Sequence, residues 1–176
     1  MDRERIRLRA ARVVDAAELA READDPEVYA GLRDYFPHPY SVDDALRFIE
    51  AMQGQTGPQR QFVIEVDGEV AGIAGLFPGT GVYRTNAELG YWLGRRFWGR
   101  GIMTAAVARL VDVAWARFEV DRLYARVFGN NPASVRVLEK CGFREESTIA
   151  GIIVKNGVRT DEVTLGLRRS PGAGRP

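Results

Sequence analysis

The segment ELGYWLGRRFWGRGIMTAA, residues 88–106, constrains the fold of this chain more than any other. A β-rich run ending at Leu93 enters a stretch punctuated by Gly94, Gly99 and Gly101. From Ile102 to Phe118 the apolar positions Ile102, Ala106, Leu110, Val113 and Ala114 recur at helical spacing. RLYARVF follows, with Leu123, Ala125 and Val127 on one face of a strand. Strand, long helix over 99–118 and strand make a crossover, and a crossover joins parallel strands.

Antiparallel elements surround it. RIRLRAARV alternates Ile6 and Leu8 with arginines and reads as a strand with one wet face. Asp15 is placed to cap a short helix through Glu22. READDPEVYAGLRDYFPHPY reads as a short helix and a loop. Ser41, with Asp44 three residues on, starts a helix with an Ala45, Phe48, Ile49 and Met52 stripe. Asp67-Gly68 and Asn156-Gly157 mark two hairpins. Pro132 suits a helix's first turn, and Gly142 its stop. The expected order is β, α, α, β, β, β, α, β, α, β, β: a mixed α/β sheet in one domain over 1–169, with RSPGAGRP ending in a disordered tail, 170–176.

Composition excludes several classes. The net charge is +1, so no overall field gathers nucleic acid or an anionic membrane. All but two of the 25 basic residues are arginine, scattered along the chain apart from clusters at Arg95, Arg96 and Arg100 and at Arg3, Arg5, Arg7 and Arg9. One cysteine, Cys141, rules out an intrachain disulfide, and a single histidine with scattered carboxylates supports no metal. No apolar run reaches the ~18 residues of a membrane span, and MDRERIRLRA lacks a signal-peptide core. A cytoplasmic location is expected.

A helix start leaves about four amides without intrahelical acceptors, and with the helix dipole these form an anion site. Gly99 and Gly101 would let a pyrophosphate approach the backbone. They are equally what a tight strand-to-helix turn needs. A P-loop is excluded because no Gly-Lys dipeptide occurs. A dinucleotide fingerprint fails at Thr104, where Gly or Ala is required, and no further βαβα series follows.

RRFWGRGIMTAA resembles the acetyl-CoA motif of the GNAT superfamily of N-acetyltransferases, Arg/Gln-x-x-Gly-x-Gly/Ala, here Arg96 to Gly101. AELGYWLG before it and NPASVRVLEKCGF after it, with FPHPYSVDDALRFI upstream, resemble the RimJ/RimL-like subgroup of ribosomal-protein alanine acetyltransferases, from about Arg5 to Leu167. The resemblance implies a central twisted, mostly antiparallel sheet with flanking helices and a splayed parallel strand pair that admits the thioester. It implies acetyl-CoA as co-substrate, with Arg96, Trp98, Gly99, Arg100, Gly101, Ile102 and Met103 around the pyrophosphate. The pantetheine arm would lie along Tyr91, Trp92 and Leu93 and bond Asn131. The acceptor would meet Phe36, His38, Tyr40, Phe77 and Tyr83.

Acyl transfer from a thioester to an amine needs a neutral amine, a stabilised oxyanion and a proton for the thiolate. The resemblance makes Ser134 the proton donor; the alternative is a first-turn serine bonding backbone. Glu88 is the base candidate, acting through a water, or else a partner for Arg126. His38 reads as lining or packing rather than a base, and Cys141 as a small buried residue. Trp98 packs over the cofactor or into the core. The strand before the last hairpin offers Ile152, Ile153 and Val154 where some relatives carry an acid. EADDPE, residues 22–27, reads as an acidic surface loop, or as an attractor for cations. The expectation is an N-acetyltransferase working by direct transfer in a ternary complex, on a protein N-terminus; the alternatives are a small-molecule amine such as an antibiotic or polyamine, or a non-catalytic CoA sensor. Expected partners are acetyl-CoA and the amine, without nucleic acid or membrane, and a homodimer stays open.

Overall fold

The computed structural model describes residues 5–169. The tail at 170–176 and the cluster member Arg3 lie outside them. The elements are β1 Ile6–Arg9, α1 Ala16–Ala23, α2 Pro26–Ala30, α3 Val42–Gln53, β2 Gln61–Val66, β3 Glu69–Pro78, β4 Asn86–Leu93, α4 Ile102–Arg117, β5 Arg122–Phe128, α5 Pro132–Lys140, β6 Arg144–Lys155 and β7 Val158–Arg168. The five-residue α2 is the short helix read within residues 21–40, which the expected order omits; Asp25 caps it by accepting from the N–H groups of Glu27 and Val28. The seven strands form one sheet in the order β1-β2-β3-β4-β5-β7-β6. The sheet is mostly antiparallel, with β4 and β5 parallel, as the crossover requires.

Packing divides the chain into two compact units. The first comprises the described residues up to Gly75 together with Tyr91–Ala106. Its core gathers Leu19, Ala20 and Ala23 of α1, Ala45 and Ile49 of α3, and Val63, Val70 and Ile73 of the sheet. Ser41 and Asp44 close the expected capping box on α3: Ser41 Oγ accepts from Asp44 N at 3.1 Å, and Asp44 Oδ2 accepts from Ser41 N at 2.8 Å. Asp15 stands at the N-cap of α1 but makes no side-chain cap bond. Its buried carboxylate instead accepts from both terminal nitrogens of Arg9, at 2.7 and 3.0 Å, and from Arg12 N at 2.7 Å. Burial pushes the Asp15 carboxyl up, but these donors outweigh it and hold the pKa below the ordinary carboxylate value.

The second unit comprises Leu76–Gly90 and the described residues from Val107 on. Leu123, Ala125 and Val127 bury one face of β5, as their alternation predicts, with Leu110, Ala114, Leu138, Phe143 and Leu165 also in the interior. Among the described residues the β4–β5 ladder covers three pairs and ends at Glu88↔Tyr124, whereas β5 stays paired with β7 as far as Phe128. Both hairpins turn with φ positive at their first residue, Asp67 at 53° and Asn156 at 50°. β6 is one edge of the sheet, β1 the other. β6 bulges at Gly151, whose N–H donates to Asp161 Oδ1 at 2.8 Å.

Candidate active site

In the first unit, β4 ends at Leu93, and the chain reaches α4 through a single turn of 3-10 helix, Arg95–Phe97. Gly94 N donates to Ala71 O at 2.8 Å, and the Trp98 indole N–H donates to Leu93 O at 2.7 Å. Phe97 is buried beneath the turn. Gly99 and Gly101 follow with φ of 71° and 74°, a conformation that costs an L residue strain. A Cβ at either position would meet nothing within 4 Å, so the space over the loop is open. The helix begins at Ile102, not at Gly99. Its first intrahelical bond runs from Ala105 N to Gly101 O at 3.1 Å. Gly101 therefore holds the N-cap position without a side chain to cap it. The side chains of Ile102 and Met103 are buried, so what these residues offer outward is backbone N–H.

The positive charge at this loop differs from the expectation. The Arg96 guanidinium donates to Glu22 Oε1 at 2.9 Å and pairs with Glu69 Oε2 at 2.6 Å, and it lies 4.2 Å over the Phe97 ring. Burial disfavours the charge on Arg96, but the hydrogen bonds from the two carboxylates outweigh it and raise its pKa. Arg96 is thus a tether between the turn, α1 and β3. Arg95 and Arg100 stay exposed at the loop. Trp98 is neither core nor a free lid: its ring is about half exposed while its N–H occupies the last carbonyl of β4. The Leu93 carbonyl, expected beside the pantetheine arm, already accepts this one hydrogen bond. The Trp92 carbonyl faces β3, where a Cβ on Gly72 would come within 2.2 Å of it.

In the EADDPE segment Asp24 and Glu27 are exposed, as a surface segment requires, but Glu22 is not. Glu22 is 5% exposed and bonded to Arg21 and Arg96, Asp24 Oδ1 accepts from Tyr40 N at 2.9 Å, and Asp25 caps α2. Of the predicted acceptor residues, Phe36 stacks on Tyr40 at 4.8 Å and meets Trp92 edge-on at 5.9 Å. Tyr40 is buried in the core of the first unit, and burial pushes its hydroxyl up to about 12. The His38 ring stacks on Tyr29 at 4.7 Å, with Nδ1 3.8 Å from Asp24 Oδ1. Phe77 and Tyr83 belong to the second unit and are exposed there.

In the second unit, Glu88 and Arg126 form a two-pronged ion pair at 2.8 and 3.1 Å, where the β4–β5 ladder ends. The hydrogen bond to Glu88 is the largest cause of a raised Arg126 pKa. Asn131 caps α5, its Oδ1 accepting from Ser134 N at 3.1 Å. Half of the Asn131 amide is therefore spent on the helix, and its NH2 is the end that suits a ligand carbonyl. Ser134 sits in the first turn of α5, partly exposed. Cys141, at the C-cap of α5, is only partly buried, and desolvation raises its thiol pKa. Among the described residues no three His, Cys, Asp or Glu side chains converge on a metal position, and no helix is long and apolar enough to cross a membrane.

A family model described as "Acetyltransferase (GNAT) domain" matches residues 5–144. The chain is a GNAT acetyltransferase. An uncharacterized N-acetyltransferase, p20, of Bacillus licheniformis is 30% identical over 97% of each chain. The spermidine N(1)-acetyltransferase of Escherichia coli is 27% identical over 72% of this chain and 67% of its own. Mycobacterium smegmatis RimJ, solved with CoA-disulfide, superposes at a TM-score of 0.81 with 27% identity, covering 93% of this chain and 81% of its own. Acetyl-CoA is the co-substrate of this GNAT chain; solved proteins of the same fold hold CoA or acetyl-CoA. The open loop at Gly99 and Gly101 fits a phosphate-bearing ligand. The sequence places Glu22 only in an acidic run and does not single out Glu69; the close packing of Gly94, whose missing Cβ would lie 2.3 Å from Glu22 Oε2, bears on Glu22 alone.

Proposed function

We propose that this acetyltransferase moves the acetyl group of acetyl-CoA to the α-amine of a protein N-terminus, by direct attack in a ternary complex. The observation that carries the reading is the helix start at Gly101: two glycines at positive φ leading into α4, inside a chain that the acetyltransferase family model matches. The amides around Ile102 and Met103 bind the pyrophosphate, with Arg95 and Arg100 supplying positive charge. The strand end at Tyr91 and Trp92 and the Asn131 NH2 orient the pantetheine arm. Bound acetyl-CoA supplies an acyl thioester; the amine attacks its carbonyl and the thiolate leaves. Glu88 accepts the amine proton through a water, and Ser134 donates a proton to the thiolate. Similarity to RimJ supports a protein acceptor.

A polyamine acceptor is the second reading, favoured by similarity to a spermidine acetyltransferase. Thiol release from acetyl-CoA, measured across peptides with free N-termini, polyamines and small amines, separates the two. The proposal expects the highest kcat/KM on peptides and none once their N-termini are blocked. Preference for spermidine would move the assignment to polyamines. CoA binding without turnover on any amine would make the chain a CoA-binding module.

A further inference from the structure

We propose that Glu22, together with Glu69, is a positioning residue for the pyrophosphate loop, acting through Arg96, and that Arg96 itself is not a phosphate ligand. The inference rests on the reading of Gly99–Met103 as the phosphate cradle. The turn 95–98 is the only covalent link between β4 and that cradle, so whatever fixes the turn fixes the direction of the amides. Arg96 ties it to α1 and β3, beside the Trp98 bond to Leu93 O and the buried Phe97. Its Nε donates to Glu22 Oε1 at 2.9 Å and its Nη1 lies 2.6 Å from Glu69 Oε2, so the guanidinium fork spans α1 and β3. The charge is answered twice over, and the flat group is held against Phe97.

Glu22 is the buried member, and the backbone is shaped around it. It is 5% exposed, and its carboxylate lies where a Cβ on Gly94 would stand, 2.3 Å from Oε2 and 3.1 Å from Cδ. Arg21 Nε also donates to Glu22 Oε1, at 3.1 Å. A carboxylate kept out of water needs such partners, and losing one frees the group to move. A cradle made of backbone amides works only while those amides keep their direction; loosening a supporting contact costs affinity even though no ligand contact is removed.

The two roles for Arg96 predict opposite signs. If Arg96 held phosphate, Glu22→Gln would release a guanidinium, remove a nearby negative charge and tighten CoA binding. As a tether, the same change loosens the turn and weakens binding. Calorimetric titration of CoA, with thermal melting of each variant, reads the sign directly. Glu22→Gln is expected to raise the CoA Kd about tenfold while kcat at saturating acetyl-CoA stays close to that of the unmodified chain. Arg96→Lys, which keeps the charge but cannot fork between two carboxylates, is expected to match it. Gly94→Ala, which displaces the carboxylate without removing it, is expected to weaken CoA in the same direction. Unchanged or tighter CoA binding by Glu22→Gln overturns the proposal, as does a fall in kcat with Kd unchanged. Failure of the unmodified chain to bind CoA would refute the cradle reading instead, a distinct result.

Discussion

The two units offer a ligand different things. At Gly99–Met103 the first unit presents backbone: amides at a helix start, aimed by glycine conformations and held by a tether whose key carboxylate is buried. At Glu88, Arg126, Asn131 and Ser134 the second unit presents side chains: Glu88 paired with Arg126, and Asn131 accepting from the Ser134 backbone N–H. Backbone donors cannot turn away once the fold is set, so they suit binding. Paired side chains can trade partners, so they suit proton movement. The comparison teaches that affinity and turnover should respond to different substitutions.

Stability separates the units first. Asp15→Asn leaves the Arg9 fork with a neutral partner in a buried place and should cost about 3 kcal/mol of unfolding free energy; Glu88→Gln, in a more exposed pair, should cost less than about 1 kcal/mol. Chemical denaturation compares them, and equal losses would break the contrast. The same Asp15 variant carries a pH signature. Its folded pKa lies below the unfolded one, so its stabilisation is present above about pH 4 and fades as pH falls through the folded value. The gap between variant and unmodified chain should therefore close in acid.

Turnover comes next. Glu88→Gln should lower kcat about a hundredfold with CoA affinity unchanged; a normal kcat would leave Glu88 as the partner of Arg126 and nothing more. Ser134→Ala keeps the backbone N–H that Asn131 accepts, so α5 stays capped. Steady-state kinetics should show kcat down about tenfold, and wild-type turnover would remove Ser134 from the mechanism. The smallest effect belongs to Trp98→Phe. It deletes one hydrogen bond to Leu93 O, worth about 1 kcal/mol, and should weaken CoA about fivefold in a direct titration.

Local physics made much of this molecule legible in its sequence. The period of α4, the alternation of β5, the Ser41 box and the Asp67-Gly68 and Asn156-Gly157 turns each depend on neighbours in the chain, and each appears where its residues say. The loop at Gly99 and Gly101 was legible for the same reason, because φ near +70° asks for glycine. Pairings between distant residues were not. Arg96 and Glu22 stand 74 positions apart, and only the packing of α1 beside the 95–97 turn joins them; as letters, Glu22 belongs to a run of acids and Arg96 to a run of arginines. Tyr40 in FPHPY looked like a loop aromatic because its burial depends on α1 and α3 packing around it.

The central claim is that CoA affinity rests on the backbone at Gly101 and not on the Ser134 side chain. Titrating CoA into the unmodified chain, Gly101→Leu and Ser134→Ala tests it. A leucine at φ +74° is strained and fills the open side of the loop, so the account predicts no measurable CoA binding by Gly101→Leu in a protein that still melts cooperatively, and undiminished binding by Ser134→Ala. Binding by Gly101→Leu with the affinity of the unmodified chain would contradict it.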